Sequence, residues 1–321
     1  MIVVTGAAGF IASALISELN KHNFNNNIAV DLFDSDLKNK NLKNKKIARR
    51  INRLELNNWI QLNHEEIEFI FHLGARTNTS EFNRTVLASL NTEYSKMIWK
   101  NCISHHIPLI YASSAATYGL GEFGFDDEAN LCDKLVPLNP YGDSKNEFDI
   151  WALKQPNKPF FWTGLKFFNV YGPNEYHKGR MASVVYHSFN QISKTGGMNL
   201  FKSHNPKFSD GGQMRDFIYV KDVVKVLYWL MHHRKNSGLY NLGSGQARSF
   251  LDLVEAVFVT MDRDKKISFI DTPIDIRDKY QYFTEAKMEK LKRIGYPHTF
   301  TTLESGIHDY ISNYLKNNKR Y

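Results

Sequence analysis

The chain of 321 residues is 42% hydrophobic and 23% charged, the balance of a globular protein long enough to bury a core and form two lobes. Its two cysteines, Cys102 and Cys132, exclude a disulfide framework and a four-thiolate zinc site. No apolar run approaches the roughly 20 residues of a membrane span, and the start carries no basic leader, so a cytoplasmic protein without membrane partners is expected.

The net charge of +8 is local. Lys38, Lys40, Lys43, Lys45, Lys46, Arg49, Arg50 and Arg53 account for the whole excess of 41 bases over 33 acids. That run holds no aromatic residue to stack on a base, so no nucleic acid is expected as partner. It reads as a solvated basic loop or as a segment that meets an anion.

Taken in order, Ile2-Val3-Val4-Thr5 predicts a strand, and Gly6-Ala7-Ala8-Gly9-Phe10-Ile11-Ala12 a glycine turn. Leu15, Ile16 and Leu19 then predict the apolar face of a helix. Glycines at such a turn let the backbone approach a pyrophosphate, which the helix N-terminus meets with amides and a positive dipole end. Ala12 takes the position that governs helix-to-strand packing. A second strand, Ile28-Ala29-Val30, ends in Asp31, where an acid binds ribose hydroxyls and favours NAD. Lys38 and Arg53 argue the other way, because a ribose 2′-phosphate attracts cations.

Residues 68–75 read as a buried strand entering a loop, 88–105 as a long helix, 108–114 as a strand ending in hydroxyls, and 141–154 as a helix. This rhythm predicts an α/β fold with a doubly wound parallel Rossmann-type sheet, its ligands at the carboxyl ends of the strands. After a strand at 164–169 come helical stretches at 182–193, 223–234, 250–262 and 302–316, read as a smaller α/β C-terminal substrate lobe. The expected division is a dinucleotide-binding domain at 1–168 and a substrate-binding lobe at 169–321, partly interleaved with the first.

Tyr141 and Lys145 stand four residues apart at the start of the 141–154 helix and so share a face. An ammonium near the phenol favours its ionised form and brings a pKa of about 10 toward working pH. Such a tyrosine can exchange a proton with a sugar hydroxyl while hydride moves to or from a nicotinamide.

In chain order, Gly6-x-x-Gly9-x-x-Ala12, His72-Leu73-Gly74-Ala75, Ser113-Ser114, Tyr141-x-x-x-Lys145 and Arg215-Asp216-Phe217-x-x-Val220 resemble the extended short-chain dehydrogenase/reductase family. Four further stretches, 111–119, 168–173, 177–183 and 279–284, resemble the members that invert C6 of an ADP-linked heptose for lipopolysaccharide-core synthesis. Of these, His177-Lys178-Gly179 discriminates most, because epimerases acting at C4 do not usually carry it.

The resemblance implies an isomerase with no net redox change, in which NADP takes hydride from C6 and returns it to the other face. The two epimers present their hydroxyls from different directions, so two acid/base groups are needed. By resemblance these are Tyr141 and Lys178, with Lys145 lowering the tyrosine pKa and binding the nicotinamide ribose, and Ser114 bonding the reacting oxygen. Cofactor contacts map to Gly6, Gly9, Phe10, Ile11, Asp31, Leu32, Lys38, Arg53, Leu73, Gly74, Ala75, Arg76, Thr77, Asn91, Lys145, Val170 and Lys178. Substrate contacts map to Ser114, Asn169, Arg180, His187, Phe201, Lys202, Ser203, His204, Arg215 and Tyr280, and no metal is implied. Leu32 and Arg53 stand where the family pattern has Asn and Lys, and Lys202 where it has an acid. The cations favour NADP, with NAD left open, and the family suggests a homo-oligomer, a pentamer.

Two alternatives remain at this stage: a C4 epimerase of a UDP- or dTDP-sugar, and a cofactor-sensing binding protein. The latter would usually have lost Tyr141 or Lys145. A dehydratase would place an acid pair after Ser114, where this chain reads Ala115-Ala116-Thr117-Tyr118.

Overall fold

The structure, a computed structural model, describes residues 1–79, 81–277 and 280–321; Lys279 of the 279–284 stretch lies outside the described residues. The first half alternates β1 (Ile2–Thr5), α1 (Phe10–Lys21), β2 (Asn27–Asp31), α2 (Asp36–Asn39), β3 (Arg49–Asn52), α3 (Leu56–Asn63), β4 (Phe69–His72), α4 (Arg84–Leu87), α5 (Tyr94–Ser104), β5 (Leu109–Ser114), α6 (Pro140–Lys154) and β6 (Trp162–Phe167). It continues with β7 (Asn169–Tyr171), α7 (Val184–Thr195), β8 (Met198–Phe201), β9 (Met214–Tyr219), α8 (Val220–His232) and β10 (Gly238–Leu242). Last come β11 (Ala247–Ser249), α9 (Phe250–Met261), β12 (Ile267–Ile270), α10 (Ile274–Arg277), α11 (Glu289–Arg293) and α12 (Leu303–Asp309).

A strand covered on both faces needs apolar side chains at successive positions, and β1, Ile-Val-Val-Thr, supplies them. Ile2 and Val4 join the cluster that packs α1 and α8, whereas Val3 joins the opposite cluster with α3, α5 and α6. Seven strands pair in parallel in the order β10-β6-β5-β4-β1-β2-β3, the doubly wound α/β arrangement that the βα rhythm predicts. Smaller sheets, β11-β9-β7 and β12-β8, carry the later segments. Among the described residues no helix is long and apolar enough to cross a membrane.

Three local expectations change. The strand expected at 164–169 ends at Phe167, where the Val170 amide bonds the Phe168 carbonyl and turns the chain into the small sheet as β7. The helix expected at 88–105 begins at Arg84 and widens to a π turn at Ala88–Glu93 before α5. The basic run is only partly a loop: it holds α2, buries Asn41 and Leu42, and ends in edge strand β3 with Arg49 and Arg50 exposed. Charged side chains on an edge strand discourage pairing with another chain.

The feature that positions the site is the approach of two turns. Gly6 has φ +66°, and a Cβ there would lie 2.6 Å from Gly74 Cα; a Cβ on Gly74 would lie 2.9 Å from Gly6 N. Gly6→Ala therefore combines a left-handed backbone cost of about 1–2 kcal/mol with a backbone collision. We expect it to lower the urea midpoint and abolish dinucleotide binding, both read on the purified protein.

Candidate active site

Where β1, β2 and β4 end, a cleft of about 750 Å³ opens. Fifteen of the expected residues line it: Gly6, Gly9, Phe10, Ile11, Asp31, Leu32, Lys38, Arg53, Leu73, Gly74, Ala75, Arg76, Thr77, Lys178 and Arg180. Tyr94, His177 and Met181 line it too, and none of the three is among the contact residues expected from the sequence. Gly9 caps α1 without a side chain, so the first amides of that helix stay free to meet an anion. The cradle between Gly6, Gly74 and this N-terminus fits a dinucleotide pyrophosphate.

At the end of the cleft beside β2, Asp31 is engaged by protein donors. Its carboxylate accepts from Ala8 N at 3.1 Å, Leu32 N at 2.9 Å and Lys38 Nζ at 2.6 Å. Lys38 thus neutralises the carboxylate that would repel a phosphate. Arg53 lines the same end, and its Nε is buried without a hydrogen-bond partner. An unsatisfied buried donor is costly and marks a place where an acceptor belongs.

Tyr141, Lys145 and Ser114 are not among the cleft-lining residues, but hydrogen bonds tie the backbone of Tyr141 to the cleft. Asn91 accepts from Arg76 N at 2.8 Å and donates to Ser144 Oγ at 3.0 Å, and Ser144 donates to the Tyr141 carbonyl. Burial pushes the Tyr141 phenol above its ordinary value, while the Ser114 hydroxyl favours ionisation. The Lys145 ammonium donates to the Ala112 carbonyl at 2.8 Å, which holds it against the end of β5. Burial in turn lowers Lys145 to about 8, opposed by the negative charge of Asp149.

Lining the cleft, the half-buried Lys178 places its ammonium 5.4 Å from the Phe10 ring centroid. Burial lowers its pKa, with Glu175 opposing. Glu175, fully buried, accepts from Ser183 N at 2.5 Å, Ser183 Oγ at 2.7 Å and Gly172 N at 3.3 Å, closing the loop that carries Lys178. His177 beside it contacts Asn41 Nδ2 at 3.2 Å and is held neutral, lowered to about 4 by burial and by Lys38 and Lys178.

The remaining expected residues form a second group. Arg215 is buried with its guanidinium 5.5 Å from the Phe250 ring and 5.4 Å from Tyr280, and it donates to the Met214 carbonyl. Phe201 meets Tyr280 edge-on, and Tyr282 receives the His204 amide. Lys202 is exposed and pairs with Asp271 at 3.3 Å, while the Ser203 amide bonds Asp210. Gln281 donates to the Gly119 carbonyl at 2.6 Å, joining this group to the segment after β5. His187 contacts the Arg180 carbonyl at 3.4 Å; Asn169 is exposed and Val170 half-buried on β7.

Residues 2–243 match the model of the NAD dependent epimerase/dehydratase family. The chain belongs to that family. It is 44% identical to ADP-L-glycero-D-manno-heptose-6-epimerase of Fusobacterium nucleatum over 331 aligned positions, covering 100% of both chains. It is also 44% identical to the enzyme of that name from Nitratidesulfovibrio vulgaris, covering 98% of each. Its structure is similar to that of the Helicobacter pylori ADP-L-glycero-D-manno-heptose-6-epimerase, with a TM-score of 0.79, 29% identity and coverage of 97% and 95%.

As a member of the epimerase/dehydratase family the chain is an α/β enzyme whose fold serves NAD chemistry. Sequence reasoning missed Asp149, Lys166 and Glu175. Signals existed for two: Asp149 continues the four-residue spacing of Tyr141 and Lys145, and Lys166 interrupts an apolar strand, which calls for a buried acid. Glu175→Gln keeps the shape of the loop anchor but turns an amide NH2 toward the Ser183 amide. We expect a loss of about 1–3 kcal/mol in urea unfolding and faster hydrogen exchange at Ser183.

Proposed function

We propose that this chain is an ADP-L-glycero-D-manno-heptose 6-epimerase that works with NADP. The observation that carries the reading is a second acid/base candidate, Lys178, on the cleft wall in addition to Tyr141 on α6. Relatives named for this activity cover the full chain at 44% identity, which supports the same assignment.

Bound NADP supplies hydride acceptance and return at C6, so that stereochemistry is lost and rebuilt through a ketone. The chain's own groups move the proton of the C6 hydroxyl. Burial moves the two candidates in opposite directions, with the Tyr141 phenol raised and the Lys178 ammonium lowered. Environments that push two groups apart suit one to donate and the other to accept. Ser114 orients the oxygen on the tyrosine side, and Lys145 holds the nicotinamide ribose. Arg215, stacked between Phe250 and Tyr280, spends one donor on Met214 and presents a planar fork to a diphosphate.

Two features support NADP over NAD: Asp31 is neutralised by Lys38, and Arg53 has an unpartnered Nε at the same end of the cleft. Incubation with ADP-D-glycero-D-manno-heptose followed by separation of the C6 epimers tests the activity. Turnover of UDP-galactose in its place would transfer the reading to C4. Lys38→Ala with Arg53→Ala should weaken NADP at least about tenfold more than NAD in fluorescence titrations, since a charge-assisted hydrogen bond contributes about 1.5–3 kcal/mol.

Tyr141→Phe and Lys178→Met should each lower epimerisation by about 10²–10⁴-fold, because inversion needs both proton routes. With an analogue bearing an aldehyde at C6, dismutation needs only one face. Each single variant should keep it and the double variant lose it; Lys178→Met with near-normal epimerisation would remove Lys178 from the mechanism.

A further inference from the structure

Tyr141, Lys145 and Asp149 follow one another at four-residue intervals along α6 and therefore share one face of the helix. That face is turned toward β5 and β6. Asp149 has no exposed surface and accepts three hydrogen bonds: Tyr111 Oη at 3.0 Å, Ser113 Oγ at 2.6 Å and Lys166 Nζ at 2.9 Å. Lys166, 1% exposed, also donates to Thr117 Oγ1 at 2.8 Å. A buried ion pair thus stands one turn beyond Lys145, and its hydrogen-bonded partners flank Ser114 on both sides.

An apolar pair of similar volume would hold the helix on the sheet without the cost of desolvating two charges. What the ion pair adds is charge, placed asymmetrically. The anion is on the helix of Tyr141 and Lys145, and the cation is on a strand across from it. We propose that Asp149, tethered by Lys166, is a positioning residue whose buried negative charge acts on Lys145 and Tyr141 through the helix face that all three share. The proposal rests on the reading of Tyr141 as an acid/base group.

The groups that face Asp149 are Tyr111 on β5, Tyr118 in the turn after it, Cys132 in the segment before α6, Lys166 on β6, and Tyr141 and Lys145 on its own helix. Burial holds Tyr111, Tyr118 and Cys132 above their ordinary values, so all three are neutral at working pH. Lys166 and Lys145 are then the cations in this set and Asp149 the anion. Its field favours the charged form of Lys145 and opposes the phenolate of Tyr141, which moves both titrations upward. Lys166 acts with the opposite sign.

Two substitutions separate this from a purely structural role. Asp149→Asn leaves an added positive charge and should move the alkaline limb of the epimerisation rate, where Lys145 loses its proton, down by about one pH unit. Lys166→Met leaves the anion uncompensated and should move the limb up. Phenolate absorbance, taken as the difference between each protein and its Tyr141→Phe derivative, reads Tyr141 without turnover and should move in the same two directions. If the single variants do not fold, Asp149→Asn combined with Lys166→Met should still shift both titrations downward, because the Asp149 charge that raises both groups is gone. Loss of rate with both titrations unmoved, or moved the same way by the two single substitutions, overturns the proposal. A wild-type protein that does not epimerise but shows the phenolate displacements would instead overturn the functional reading and leave the charge relation standing.

Discussion

The contact on which the site depends is the approach of the Gly6 and Gly74 backbones, closer than any side chain at either position allows. It exists because β1 and β4 are neighbours in the parallel sheet, so their carboxyl ends open side by side. Thr5 clamps the pair, accepting from Gly74 N at 3.1 Å and meeting His72 Nδ1 at 2.8 Å. His72, lowered to about 3 chiefly by burial, stays neutral and passes the connection on through Nε2 to Ser95. Ser95 donates to the Asn91 carbonyl, which assigns the Nε2 proton to the histidine.

From Asn91 the network continues through Ser144 to the Tyr141 carbonyl, so the glycine cradle and α6 are ends of one hydrogen-bonded path. Groups that must hold a nicotinamide and a sugar within hydrogen-bonding reach gain from such a frame, since small misplacements are costly in rate. The π turn at Ala88–Glu93 brings Asn91 into this path, and a local widening of a helix of that kind is often found at functional sites.

The same principle governs the buried carboxylates. Burying a charge is tolerated where hydrogen bonds replace water. Glu175 closes the Lys178 loop in this way, and Asp216 accepts from Ser244 N, Ser244 Oγ, Gly245 N and Ala286 N, joining three segments of the later chain. Asp216 belongs to the Arg-Asp-Phe motif beside Arg215, so one residue of the motif ties the later segments together while its neighbour packs its guanidinium against Phe250 and Tyr280.

Short-range rules made much of the protein legible in its sequence. Apolar strands followed by glycine turns imply parallel βα units, and the i, i+4 relation of Tyr141 and Lys145 follows from helix geometry alone, so the sheet, the cradle and the helix that carries this pair could be read without coordinates. Family likeness supplied the Lys178 loop. Tertiary structure decided what depends on partners distant in the chain. Asp31 is spoken for by Lys38, Lys145 is turned to the Ala112 carbonyl, and the basic run divides into a helix, a buried turn and an edge strand. It also decided that Lys166 meets Asp149, seventeen residues away, inside the core. The physical reason is range: propensity and periodicity act over a few residues, whereas desolvation and charge pairing depend on which segments the folded chain brings together.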